Sequence, residues 1–158
     1  MPPLAGYSRL PLQQFNLEKY LGTWHQYGSI RPWYQPNVKN VVLSCTRSGT
    51  GEMKLDIRLE HLLLRHCFQG KITLGPILPN FTIHTPKALL GFGLVTDFTV
   101  RAVLVNPQGQ YTYILCTRKG TEGLHLMART LPIPVAHQIH LHEVLQELGY
   151  DASKFQLS

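Results

Sequence analysis

From Thr23 to Arg129 the chain is a run of short apolar segments, alternating with polar positions and separated by turn residues. A hydrophobic period of two marks strands with one buried face. Many such strands on short links predict an all-β meander. Eight fit the pattern: residues 24–30, 38–46, 53–59, 69–74, 81–85, 98–105, 110–117 and 124–129. Turn-forming clusters at 48–52, 106–109 and 119–123 separate three of the pairs, and Pro76 and Pro79 frame a loop. Leu62, Leu63 and Leu64 break the alternation, which predicts a bulge or corner at 61–66. The period changes at 135–148, where Leu141, Val144, Leu145 and Leu148 recur at helical spacing and Gly149 supplies a stop. Residues 150–155 then predict a short edge strand.

Two distant motifs give the meander a family likeness. Gly22-Thr23-Trp24 opens the first strand, and Arg129 stands in Ala128-Arg129-Thr130-Leu131-Pro132 at the end of the last. The pair resembles the two ends of a lipocalin barrel, in which an Arg lies across the Trp ring. A guanidinium on an indole face is a cation–π contact, and its planar fork also bonds carbonyls as a Lys cannot. The order of prolines, helix and Gly149-Tyr150-Asp151 resembles the bacterial and apolipoprotein D-like lipocalins. The likeness is closest in 15–30 and 124–156. The family's middle motif falls at Asn106-Pro107-Gln108, and the literal Thr96-Asp97-Phe98 lies too early for it. The resemblance implies an eight-stranded antiparallel up-and-down calycin barrel with a C-terminal helix packed outside. On that reading residues 1–14 form an extension and 15–158 the domain, with a barrel at about 23–130, a helix at about 135–148 and a terminal strand at about 150–156.

An eight-stranded barrel can hold one small ligand. Strand parity counted from Trp24 places Gln26, Gly28 and Ile30 inside. Val41, Leu43, Cys45, Leu55, Ile57 and Leu59 follow from the next two strands, and Thr112, Ile114 and Met127 from the last two. Arg101 is ambiguous. Family order turns Thr99, Arg101 and Val103 inward, whereas composition favours Phe98, Val100, Ala102 and Leu104; an inward Arg101 would anchor a carboxylate or phosphate. The expected wall is aliphatic, with Gln26 and Thr112 as its plain hydrogen-bonding groups. It suits a chain-like tail.

Composition narrows the alternatives. With 158 residues the chain is one domain by size, with 44% hydrophobic and 15% charged residues. No apolar run is long enough for a membrane helix. A net charge of +6 invites a nucleic-acid reading, but the Arg and Lys residues are scattered rather than striped along one face. The expectation is no nucleic-acid binding and at most a peripheral attraction to anionic lipid. Three cysteines, Cys45, Cys67 and Cys116, leave one over after any disulfide, and whether a bridge forms stays open. The resemblance implies an extracytoplasmic or secreted protein. Residues 1–14 do not read as a signal peptide, so a cytoplasmic location is the alternative.

Enzyme templates find little here. There is no glycine-rich phosphate loop, no Gly-x-Ser-x-Gly elbow and no Cys-x-x-Cys. His137, His140 and His142 cluster on the helix without an evident third ligand type, and His61 and His66 carry no stronger signal, so neither a metal nor a cofactor is expected. Cys45 falls where the prostaglandin-D-synthase branch of the lipocalins carries its nucleophile, which leaves a thiol-dependent lipid isomerase as the alternative. The favoured expectation is a non-enzymatic carrier, monomer or homodimer, storing or transporting a fatty acid, lysophospholipid or similar amphiphile. A third reading keeps the barrel filled and uses its surface for partners, with Trp33 and Tyr34 at the mouth.

Overall fold

The computed structural model describes residues 6–30, 38–47, 49, 53–61, 64–71, 80–85, 94–118 and 123–157. The chain enters with β1 (Ser8–Arg9), a 3-10 turn (Leu12–Gln14) and one helical turn, α1 (Leu17–Tyr20). Eight strands follow: β2 (Gly22–Ile30), β3 (Val38–Arg47), β4 (Met53–His61), β5 (Leu64–Lys71), β6 (Asn80–Thr85), β7 (Leu94–Val105), β8 (Tyr111–Arg118) and β9 (Leu124–Ala128). Each pairs antiparallel with the next, and β9 returns to β2, so the meander closes on itself. Closure pairs the edges that an open sheet would expose. The fold is thus the all-β meander that the alternation predicts, closed into the barrel with a C-terminal helix outside that the motif resemblance implies.

Several boundaries differ from those expected. β5 begins at Leu64, which pairs with His61, so the strand expected at 69–74 starts earlier, while residues 62–63 of the corner expected at 61–66 lie outside the described residues. Thr96, Asp97 and Phe98 lie within β7, while Asn106 organises the β7–β8 turn by accepting from the backbone of Gln108 and Gln110. The expected edge strand at 150–155 is instead a 3-10 turn (Ala152–Lys154), capped by the Asp151 side chain. The strand itself, β10 (Gln156–Leu157), comes just after and pairs with β2. Residues 31–37, 72–79, 86–93 and 119–122, with Trp33, Tyr34 and Gly91 among them, lie outside the described residues.

Two apolar layers share the barrel wall. The inner layer joins Trp24, Val41, Cys45, Leu55, Ile57, Leu59, Val100, Val103, Ile114 and Met127. The outer layer joins Ile30, Ala102, Leu104, Tyr113, Leu115, Leu124, Leu126 and Ala128 to helix α2 (Val135–Glu147) through Leu141, Val144 and Leu145. β9 is therefore buried on both faces, which is why all five of its residues are inaccessible. Tyr113 and His137 lock the helix to β8 with an Oη···Nδ1 contact of 2.6 Å, and Arg9 reaches Glu147 at 2.8 Å. Gly149, at φ +88°, ends the helix in the left-handed region that glycine tolerates.

Irregular pairing decides which residues face which layer. In β2, Gln26 pairs with Met127 but Gly28 pairs with Leu126, so Tyr27 is an extra residue. In β7, Val100 pairs with Cys116 and Ala102 with Leu115, so Arg101 is extra; Thr112 is the extra residue of β8. An added residue flips every side chain beyond it to the other face. Gly28 consequently meets the outer layer: a Cβ there would lie 2.3 Å from Phe155 Cζ and 2.7 Å from the Gln156 carbonyl oxygen. Gly28→Ala should therefore cost about 1–3 kcal/mol by overpacking the seat of β10. Phe155→Ala should remove part of that clash, so the double variant should lose about 1 kcal/mol less than the two singles summed. Urea denaturation of the four proteins checks this; strict additivity would place Gly28 elsewhere.

Candidate functional site

The barrel floor is built from chain segments that meet at Arg129. Its Cζ stands 3.8 Å from the Trp24 ring centroid. Nε donates to the Tyr111 carbonyl at 3.2 Å and Nη1 to that of Thr23 at 3.2 Å. Nη2 donates to the carbonyls of Lys19 at 2.9 Å and Tyr20 at 3.3 Å. Trp24 Nε1 donates to the Tyr20 carbonyl at 2.8 Å, and the Tyr20 ring stacks on Trp24 at 5.5 Å. Gly22, at φ +112°, passes so close that a Cβ would lie 2.9 Å from Arg129 Nη1. A side chain there would be both strained and in the way.

Above this floor the inner wall carries most of the expected residues. Gln26, Val41, Ile57, Leu59, Ile114 and Met127 are buried on it, and Leu43 packs half-buried against them; Cys45, in register with Gly22, and Leu55 opposite it are buried level with the floor. Four expected wall residues lie elsewhere. Gly28 and Ile30 point outward beyond the Tyr27 bulge, under Phe155 and the helix layer. Arg101, extra in its strand, is exposed and donates from Nε to Thr117 Oγ1 at 3.1 Å. Thr112, extra in β8, donates to the Gln110 carbonyl and lines an outer cleft of about 740 Å³ beside Lys19 and Arg129. For β7 neither parity holds along its length: Val100 and Val103 face in, while Ala102 and Leu104 face out.

Three residues outside the expected set also face inward, of which only Ser29 lies beyond a bulge. Ser29 pairs with His125, and His125 pairs across the other side with Cys116. His125 alternates with Leu124 and Leu126 of the outer layer, so its ring faces in, 3% exposed. Its Nδ1 lies 2.8 Å from Gln26 Oε1. A carboxamide oxygen only accepts, so Nδ1 is the donor in this contact. Counting by two from Met127 and Ile114 would have found His125 and Cys116. Ser29 had no signal, since nothing in the local sequence announces the Tyr27 bulge.

The two buried thiols, Cys45 and Cys116, sit in surroundings that keep them protonated. Burial pushes Cys45 up to about 11, against a smaller lowering by Arg129, and burial pushes Cys116 up to about 12. Burial also raises Tyr20 well above its usual value. Cys45, Cys67 and Cys116 are all free thiols. Among the described residues no three His, Cys, Asp or Glu side chains are grouped as a metal would require, and His140 pairs loosely with Glu143 at 3.7 Å.

No family model matches the sequence, and no curated protein matches it. Solved structures do match its shape. Apocrustacyanin C2 superposes with a TM-score of 0.66 at 13% identity, over 92% of this chain and 81% of that one. The fold is that of the lipocalins. The allergen Per a 4 from cockroaches gives 0.63 at 12% identity, over 91% and 87% of the two chains. Insecticyanin from the tobacco hornworm Manduca sexta gives 0.63 at 12%, over 94% and 82%. At such low identity the likeness concerns the barrel and its outer helix, not the chemistry inside.

Arg129→Lys should keep the charge but lose the fork that spans Lys19, Tyr20, Thr23 and Tyr111. It should lower unfolding free energy by about 2–3 kcal/mol and leave the wall above Trp24 intact. Thermal melting and ligand titration together check this. Lost binding with an unchanged melting curve would make Arg129 a ligand contact instead.

Proposed function

We propose that the protein stores or transports a small hydrophobic or amphipathic molecule inside its barrel. The observation that carries this reading is the inner wall above the Trp24–Arg129 floor, which is aliphatic on β3 and β4. Burying a chain-like tail there gains roughly 25 cal/mol per Å² of apolar surface removed from water, less the costs of association. The motif resemblance to the bacterial and apolipoprotein D-like group favours a fatty acid, lysophospholipid or similar amphiphile over other apolar ligands. Native mass spectrometry of the purified protein, with extraction of any bound lipid, tests it. The expected result is a mass increment that organic extraction removes and that saturates at one equivalent of added acyl ligand. A barrel that takes up no apolar probe would refute the reading.

The competing reading, a lipid isomerase working through Cys45, has the thiol on the inner wall in its favour. Its chemistry is unfavourable, because a thiol titrating at about 11 is thiolate to only about one part in ten thousand at neutral pH. Cys45→Ala should leave ligand affinity within a few fold. In native protein near neutral pH, iodoacetamide should label exposed Cys67 and reach Cys45 and Cys116 only after unfolding. Rapid alkylation of Cys45 would reverse the order of the two readings.

A further inference from the structure

The outer cleft of about 740 Å³ lies where the floor meets the β7–β8 turn, with Tyr7, Lys19, Gln108, Gln110, Thr112 and Arg129 among the residues that line it. Arg129 brings its parts together. Nη2 holds the Lys19 carbonyl and Nε the Tyr111 carbonyl, so the end of α1 and the start of β8 meet at one guanidinium. The turn is fixed as well: Asn106 Oδ1 accepts from the backbone of Gln108 and Gln110, and its Nδ2 donates to Gln110 Oε1 at 3.0 Å. With that oxygen engaged, Gln110 keeps its Nε2 for donation elsewhere.

The cleft carries positive charge. The carbonyls that hold Arg129 are dipoles rather than counter-ions, and they leave its charge in place. Burial disfavours that charge, and the groups acting against burial are Tyr20 and Cys45, whose own protons burial retains. Lys19 adds a second cation on the exposed rim. Among the described residues that line the cleft none is acidic, and Glu18, next to Lys19 in the chain, pairs with Arg47. Two like charges in one cleft oppose each other, and an anion between them relieves both.

We propose that this cleft binds a phosphate monoester, a compact dianion on a small organic body. The site is separate from the barrel interior and does not depend on what the barrel carries. Near neutral pH a monoester carries about −1.5 to −2 charges, which two cations balance, whereas a single carboxylate balances one. Its terminal oxygens accept, while Lys19 Nζ and Gln110 Nε2 donate. Lys19 acts as a compact point charge. Arg129, its donors turned to carbonyls, acts through its field, which half-burial shields from water. The cleft exceeds a phosphate group in volume, so the organic body has room beside Tyr7 and Thr112. The same group occurs on soluble esters and on the headgroup of phosphatidic acid.

The test is calorimetric titration at low ionic strength with glycerol 3-phosphate, glycerol and acetate. Glycerol 3-phosphate should saturate at one equivalent and bind about tenfold or more tightly than acetate, and glycerol should not bind. Its affinity should fall several-fold when salt rises from about 20 to about 200 mM. It should fall again below about pH 6, where the monoester takes up a proton and loses charge. Lys19→Gln should weaken binding about fivefold or more with an unchanged melting curve, because the floor uses the Lys19 carbonyl and not its side chain. In the intact protein, backbone amide resonances of Gln108 and Gln110 should move on adding glycerol 3-phosphate, while those of Val41 and Ile57 on the inner wall should not. Sedimentation with phosphatidylcholine vesicles containing phosphatidic acid separates the two sources. Sedimentation that Lys19→Gln abolishes makes the headgroup a ligand too, and its absence leaves the soluble ester. Failure of glycerol 3-phosphate to bind overturns the inference whatever the vesicles do. Acetate binding as tightly, wild-type affinity in Lys19→Gln, or resonance shifts confined to the inner wall overturns it as well.

Discussion

One guanidinium holds the two ends of the meander together. Arg129, just beyond β9, covers the Trp24 ring of β2 and bonds carbonyls of α1, β2 and β8. Joining the first and last barrel strands closes a loop of most of the chain. Its entropic cost rises only logarithmically with length, so local gains at the seam can offset it. Each charge-assisted or carbonyl hydrogen bond contributes about 1 kcal/mol and the stacked cation about as much again. The geometry also explains the neighbouring residues. Gly22 has no side chain because Arg129 occupies that space, and Tyr20 gives both its ring to Trp24 and its carbonyl to the indole and the guanidinium.

With the seam fixed, the inner surface is a matter of counting, and the bulges change the count. Tyr27, Arg101 and Thr112 are each one residue more than the partner strand provides. Their effect is to serve two layers with one wall. Past Tyr27, β2 turns Gly28 and Ile30 out, where Phe155 and the helix need a close approach, and turns Ser29 in. Past Arg101, β7 keeps Val103 inside while giving Ala102 and Leu104 to the layer beneath α2. The outer helix thus bears on the composition of the interior.

Inside, chemistry follows from how little water reaches the wall. Burial holds Cys45 and Cys116 as neutral thiols, which suits a lining and works against a nucleophile.

The sequence by itself determined the meander, its closure and its outer helix. Period-two alternation survives wherever one face of a strand is buried, and the Gly22–Trp24 and Arg129 motifs are local signatures of the seam. Leu141, Val144 and Leu145 announced the docked face of α2 in the same way. It also determined the wall on β3 and β4, where Leu43, Cys45, Leu55 and Ile57 pair in unbroken register. What only the tertiary structure decided is the facing of residues near a bulge. Whether Tyr27 or Arg101 is accommodated as an extra residue depends on strands and a terminal segment far away in the chain, Phe155 above all, and no local pattern encodes that. For this reason Gly28, Ile30, Thr112 and Arg101 lie off the inner wall, while Ser29 lies on it. His125 differs in kind: its parity was readable from Met127, but its partner on β2 came close only when the barrel closed.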